Sequence, residues 1–504
     1  MADNSLYVML IGLPLFAAPL VYLLGRISAR RGEDWGLLFA RWFTVVILVL
    51  DGIVLYFATY GAVHGTALTT LTVGSITLNL DGVGLVVSAV AIGLGLCVAI
   101  FSTSYMANEE GEEKFYALLL ITIGAIVGML ATRDLFNLWV WFEVMAVSTY
   151  FLVAFYNKQP ASLEAGVKYL VQSAIGSTLV LFGIAVIYSQ TGSASMQTLF
   201  SSRGQGMTLV GLGGLLMIVG FGVKAALVPL HTWLPDAHSQ APSGISAMLS
   251  GIVIEAGLAA MLRVLSVIGP GPLPWGYILI GFGCLNILFG NLLALRQKEV
   301  KRLLAFSSLS HVGYMLLGFG FAFAYGFPEG AQGGFFHLIT HSMMKGLAFL
   351  AAGALLYALF ISRGDHSPLT LDDLNGASSK YPLTAFAFSV AVLGLGGLPP
   401  MAGFWSKWQI LLTGIAVKDV SMTIIVVFAA LNSILSLAYY APMVNRIYRK
   451  QPSIAVQNGN RISWQMAVPM VIMVAVLIAI GVYPQIVNFI TSAAATHLMG
   501  IFIG

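Results

Sequence analysis

The sequence predicts an all-α integral membrane protein of about 14 transmembrane helices, and three observations carry that prediction. Hydrophobic residues make up 58% of the 504 positions and charged residues only 9%. The mean hydropathy is +0.90. Apolar runs recur from end to end, leaving no polar stretch long enough for a soluble domain. A helix needs about 20 mostly apolar residues to cross the hydrocarbon core. Fourteen such segments, here called spans one to fourteen, are centred near residues 15, 50, 92, 124, 145, 177, 218, 252, 285, 313, 346, 397, 433 and 474. The last apolar stretch, Ile486 to Ile503, reads as a tail or partial helix beyond span fourteen, with a fifteenth crossing less favoured.

Basic residues orient the spans, because Lys and Arg accumulate in short cytoplasmic loops. Of the 24, seventeen fall in alternate connections assigned to the inside, beginning with Arg26, Arg30 and Arg31. Arg133, Arg203, Arg263 and Lys418 fall in the outside loops, and both termini are then outside. The net charge of +4 thus reports topology and gives no reason to expect a nucleic-acid partner. Redox chemistry within the chain is not expected. Cys97 and Cys284 lie in separate spans and cannot supply the four thiolates of an iron–sulfur cluster site. No dinucleotide fingerprint, P-loop or His-Glu-x-x-His zinc motif occurs. His337 and His341 lie one turn apart on one helix face and cannot bind opposite sides of a haem. The expectation is a chain with no cofactor and no metal.

The remaining three basic residues, Lys224, Lys345 and Lys407, sit deep inside apolar stretches. A charge at the centre of a spanning helix costs about 2.5 to 3.5 kcal/mol on insertion scales, so such residues mark ion paths by default. Two of the three spans are also broken. In span seven Pro229 cannot donate to the carbonyl of Ala225, next to Lys224. In span twelve Gly394, Gly396, Gly397, Pro399, Pro400 and Gly403 precede Lys407. Irregular backbone at membrane depth is tolerated only where it is buried in protein or lines a wet cavity. Spans seven and twelve are an odd number apart and cross in opposite directions, as in an inverted repeat with its transport site near the midplane. The expected organisation is three N-terminal helices over residues 1–110, two inverted five-helix repeats over 111–268 and 269–450, and a last helix with its tail over 451–504.

Several motifs now carry a family resemblance. They are Trp139-Val140-Trp141-Phe142-Glu143 in span five; Lys224 followed by Pro229-Leu230-His231-Thr232-Trp233-Leu234-Pro235-Asp236-Ala237-His238; and Ala241-Pro242-Ser243. Further along come Lys301 through His311, Phe336 through Lys345 with His337 and His341, and Gly403-Phe404-Trp405-Ser406-Lys407. Over residues 80 to 415 the chain resembles the antiporter-like subunits of respiratory complex I (L, M and N), of Mrp cation/proton antiporters (A and D) and of membrane-bound hydrogenases. Its length favours the M or Mrp D type over L or Mrp A, which carry long C-terminal extensions. The resemblance implies 14 helices with broken helices seven and twelve, a place in a multisubunit membrane complex beside a second antiporter-like subunit, and a bacterial or archaeal cell membrane.

It also implies roles for the ionisable residues. Glu143 is the acid paired with Lys224, and a lysine that loses such a partner releases its proton more readily; a static ion pair joining two helices is the alternative. His337, His341 and Lys345 recur every four residues on one helix face and form a candidate proton wire, although His337 would serve equally as a cap. His311 either bridges the halves or makes a structural hydrogen bond, and Lys407 ends the path. His231, Asp236 and His238 are expected to shape the span-seven break, with direct proton transfer as the alternative. Asp51, outside the matched region, is expected to face a neighbouring helix or subunit, and the acidic run Glu109 to Glu113 is expected to be a solvated loop, with a partner contact as the alternative. One position departs from the family pattern: where M, N and Mrp D subunits carry a span-eight lysine, this chain has Glu255. A carboxylate there relays protons or helps coordinate Na⁺. The resulting expectation is a proton-translocating subunit of a complex I-related translocase with no redox site of its own; the alternatives are an Mrp-type Na⁺/H⁺ antiporter subunit and a non-conducting scaffold.

Overall fold

A computed structural model describes residues 4–63, 71–74, 76–107, 109–203, 208–271 and 273–503; the outermost terminal residues, whose side the charge pattern assigns, lie outside these. The predicted spans are present in order. Spans one to six are the helices Asn4–Arg31, Trp35–Val63, Gly82–Tyr105, Glu112–Ala131, Leu135–Val153 and Pro160–Thr191. Span seven divides into Thr208–Lys224 and Trp233–Gln240, and span eight covers Ser243–Ile268. Spans nine to eleven are Trp275–Ala294, Val300–Tyr325 and Pro328–Leu359. Span twelve divides into Pro382–Gly396 and Ala402–Ala416; Val420–Ile447 and Trp464–Val482 complete the set. Among the described residues, the unbroken spans and the last helix, Gln485–Ile503, are the ones long and apolar enough to cross a membrane singly.

Local chemistry starts several helices. The carboxylates of Asp81, Asp134 and Asp419 accept backbone N–H bonds from Gly84 (2.9 Å), Asn137 (2.7 Å) and Met422 (3.1 Å), capping spans three, five and thirteen. A short antiparallel hairpin, Leu71–Val73 with Ile76–Leu78, separates spans two and three. Its three-residue strands are too brief to stand out in an apolar sequence.

The bundle is graded from centre to rim. Spans eight and ten are buried throughout their apolar windows and span eleven nearly so, whereas spans two and thirteen expose most of theirs. Helices that are apolar on all sides belong in the interior of a membrane bundle. Spans nine and ten approach closely because Gly276, Gly283 and Gly290, seven apart, face the backbone or side chains around Ala324, Gly313 and Ser310. Small residues at such a seam bring two helix backbones into van der Waals contact.

Four sequence expectations are corrected by this packing. Gln485–Ile503 is a complete helix of 19 residues, not a tail. Both of its ends nonetheless sit at one face. It begins two residues after span fourteen, and near its end His497 Nδ1 accepts the N–H of Gly82 (2.9 Å) at the start of span three, while Phe502 stacks on Phe323 (4.2 Å) at the end of span ten. Alternating crossings put the start of span three and the ends of spans ten and fourteen on the same side, so this helix lies along that face. Arg263 belongs to span eight, not to a loop: it is 2% exposed and paired with Asp81 (2.6 Å). Lys301 is likewise buried, its ammonium donating to the carbonyls of Ala241 (2.5 Å) and Ser239 (3.4 Å). Glu112 and Glu113 are buried and not solvated; Arg41 pairs with Glu112, and Arg26 lies 3.6 Å from Glu113. In each case a counter-charge or carbonyl on another helix permits the burial, and pairing across distant segments leaves no local pattern.

Candidate functional site

The first lysine is positioned by the break in span seven. The first helix ends at Lys224, and Asn286 of span nine engages the open backbone beyond it. Asn286 Oδ1 accepts the N–H of Val228 (2.8 Å), and Nδ2 donates to the carbonyl oxygens of Ala226 (3.2 Å) and Leu309 (3.4 Å). Trp233 Nε1 donates to Val223 O (2.8 Å), folding the second piece back on the first. Two of the dipoles opened by the break, the Val228 N–H and the Ala226 carbonyl, thus meet span nine.

Lys224 is 1% exposed. Its Nζ donates to Tyr169 Oη (2.6 Å) and Thr149 Oγ1 (3.3 Å), and lies 4.5 Å from the centroid of the Tyr169 ring. A cation over a desolvated aromatic face gains about 2 kcal/mol, part of what burial costs. Glu143 makes no ion pair with it among the described residues, and Glu143 Oε1 is buried without a hydrogen-bond partner. The expected Glu143 and Lys224 pair is therefore open in this arrangement, because the ammonium bonds the neutral hydroxyls of Thr149, further along the helix that carries Glu143, and of Tyr169 in span six.

A second cluster lies between spans eight, ten, eleven and twelve. Residues Leu249–Val253 form one π-helical turn that ends two residues before Glu255. Such turns recur at functional sites because the extra residue re-aims the side chains that follow. Glu255 is fully buried; Oε1 lies 2.6 Å from His341 Nδ1, and Oε2 accepts the Ser342 hydroxyl. His311 Nδ1 lies 3.0 Å from His337 Nε2, and the rings of His311 and His341 are 5.0 Å apart. His337 Nδ1 contacts Ser406 Oγ (2.8 Å), while His311 Nε2 contacts Tyr440 Oη (3.3 Å). Glu255, His341, His311, His337 and Ser406 thus form a nearly continuous polar file ending one residue before Lys407.

Lys407 and Lys345 are both buried and sit differently. Lys407 Nζ donates to Leu395 O (2.9 Å) and Ser433 Oγ (3.1 Å), and lies 4.8 Å from the centroid of Tyr314. The Leu395 carbonyl is the one that Pro399 cannot satisfy. Lys345 Nζ donates to Leu304 O (2.6 Å) and to the Ser307 hydroxyl. The equal spacing of His337, His341 and Lys345 put all three on one wire; in the fold the two imidazoles join His311, and Lys345 branches toward span ten.

Of the residues around the break, Asp236 pairs with Lys168 (3.0 Å) and Arg302 (2.8 Å). His238 is buried and stacked on Phe349 at 4.7 Å, and His231 Nδ1 is buried without a hydrogen-bond partner among the described residues. Asp51 is buried inside the chain, and neither of its carboxylate oxygens has a hydrogen-bond partner among the described residues. Tyr169, Thr149, Ser342, Ser406, Tyr314, Tyr440 and Asn286 were not singled out in the sequence. Isolated hydroxyls, phenols and amides are common in apolar helices, and only the three-dimensional register distinguishes these.

Comparison with known proteins bears on this geometry. A family model described as NADH:quinone oxidoreductase/Mrp antiporter, transmembrane, matches residues 132–436, and one described as complex I chain 5 N-terminus matches 71–116. The chain is 32% identical to the F420H2 dehydrogenase subunit N of Methanosarcina mazei over 419 residues, 82% of this chain and 83% of that one. It is 34% identical to NADH-quinone oxidoreductase subunit N of Trichlorobacter lovleyi over 367 residues, covering 71% and 72%. Among solved structures it matches a chain of an archaeal membrane-bound sulfane sulfur reductase, with a TM-score of 0.85 and 30% identity over 99% of both chains. A chain of Thermus thermophilus complex I aligns with a TM-score of 0.77 and 28% identity, covering 96% and 99%. A chain of the Mrp complex from Dietzia sp. DQ12-45-1b shares the fold, at 0.85 and 23% identity over both full lengths.

Proposed function

From the premise that this chain belongs to the NADH:quinone oxidoreductase/Mrp antiporter family of membrane subunits, we propose that it translocates protons within a complex I-related, energy-converting assembly. The observation that carries the mechanism is the buried file from Glu255 through His341, His311 and His337 to Ser406. Imidazoles both accept and donate protons, so a file of them passes a proton along by turns. The route runs from Glu143 and Lys224, through Glu255, His341, His311 and His337, to Lys407; Lys345 feeds the file from the side through Ser307.

Four steps of the route lack a direct hydrogen bond, for His341 meets His311 only ring to ring and Ser406 and Lys407 share none among the described residues. Lys224 does not touch Glu143, and no hydrogen bond joins Lys224 to Glu255 among the described residues. The two gaps at Lys224 are the natural places for control. Return of the Glu143 carboxylate to Lys224 favours the charged lysine, and its withdrawal favours proton release. Spans four to eight and nine to thirteen act as two inverted units, with the basic face cytoplasmic and redox energy delivered by other subunits. Glu255 supports a proton over Na⁺ as cargo, because His341 and the Ser342 hydroxyl already engage its oxygens in proton-sharing contacts.

Lys224→Ala and Glu143→Ala in the intact complex test the reading in vesicles. Each is expected to abolish most proton translocation while leaving assembly unchanged. Full pumping by both variants would leave the chain a scaffold. Iron–sulfur or flavin subunits are expected to co-purify; their absence, together with Na⁺-dependent proton exchange, would indicate an Mrp-type antiporter instead.

A further inference from the structure

A groove of about 710 Å³ opens between spans one, four, five and six, away from the proton file. Its walls include Pro19, Leu118, Ile121, Phe151 and Leu163, and its mouth carries Lys114, Glu110 and Asn157. Phe151 is 55% and Leu163 45% exposed, so the groove faces the apolar surroundings of the bundle. From Lys114 to Ile121 it follows one helix face for seven residues, about 10 Å of depth at 1.5 Å per residue.

The charges at the mouth are not equivalent. Glu110 pairs with Lys158, and Arg26 lies beside Glu113. Lys114 is exposed, and its ammonium has no hydrogen-bond acceptor among the described residues. An exposed ammonium with no hydrogen-bond acceptor among the described residues, and with Glu110 close enough to interact with it electrostatically, therefore stands above an apolar slot, at the end of the bundle where Arg26, Arg30, Arg31 and Lys158 also gather. Basic groups at such a border attract anionic headgroups, whereas the slot beneath accepts only hydrocarbon.

We propose that this groove is a binding site for one anionic phospholipid, its phosphate on Lys114 and an acyl chain between Pro19, Leu118 and Phe151. The proposal is independent of the proton route. It is tested with the intact complex in phosphatidylcholine vesicles containing a little phosphatidylglycerol that bears a photoreactive group midway along one acyl chain. Cross-links are expected on the segments around Pro19, Leu118 and Phe151. Lys114→Glu should reduce them at least about fivefold, the weight of one lysine near an anionic lipid surface, because it removes that lysine and adds a repelling carboxylate. Leu118→Trp, which fills the slot and keeps the charge, should reduce them as well. The same reactive chain on a phosphatidylcholine headgroup should label weakly and respond little to Lys114→Glu. Equal labelling by both headgroups, or labelling unchanged in either variant, overturns the proposal. So does protection of the groove accompanied by cross-links from position 118 to another subunit, because a protein would then occupy it.

Discussion

At the scale of single residues, the buried charges are held by neutral partners as much as by opposite charges. Tyr169 shows this best, since its hydroxyl accepts from Lys224 and its ring lies under the same ammonium. Tyr169→Phe keeps the ring and removes the acceptor, leaving a buried donor short of one bond at a cost of about 1 to 3 kcal/mol. The expected outcome is a complex that assembles, melts at a lower temperature and pumps more slowly, measured by thermal unfolding and by proton uptake into vesicles. Glu255→Gln keeps the size and still accepts from Ser342, but it cannot hold a transferable proton. It should slow pumping without preventing assembly, and full activity would remove Glu255 from the route. The ionisable members of the site were legible in the sequence because charge is rare in apolar spans. Their pairings were not: Glu143 stands open, and Glu255 finds His341 across 86 residues of chain.

Elements add constraints that no single residue reveals. The two breaks were visible from Pro229 and from the Gly and Pro run before Lys407, but the clasp on the first break comes from Asn286, two spans away. Asn286→Ala would strand the Val228 N–H and the Ala226 carbonyl together. Lower thermal stability, larger than for Tyr169→Phe, is expected in parallel melting experiments. Beyond the seam of spans nine and ten, close approach is set by glycine near both ends of the polar file. A Cβ on Gly251 would fall 2.5 Å from Leu94 Cδ2 and 3.1 Å from Ser342 O, pushing span eight from the helix that holds His341. A Cβ on Gly403 would fall 2.1 Å from the Gly394 carbonyl, where the halves of span twelve meet. Overpacking of this kind costs about 1 to 3 kcal/mol. Gly403→Ala is therefore expected to destabilise the subunit and slow transfer at Lys407. The π-helical turn before Glu255 had no local sequence signal, since Leu249–Val253 reads as ordinary helix until its packing is known.

For the whole molecule, hydropathy defined the spans well because bilayer thickness and the cost of unpaired backbone leave few alternatives. The final helix was the weak point, since length and composition describe a helix lying along a face and one crossing the bilayer equally well. Its contacts decide the matter, through His497 on Gly82 and Phe502 on Phe323. The consequence can be seen by chemical labelling. Cys97 is buried within span three and Cys284 half-buried within span nine, so the background for thiol reagents is low. A cysteine introduced at Ile503 and one at Lys418, in the turn between spans twelve and thirteen, should react with a membrane-impermeant maleimide added to the same side of sealed vesicles. A crossing helix would expose them on opposite sides.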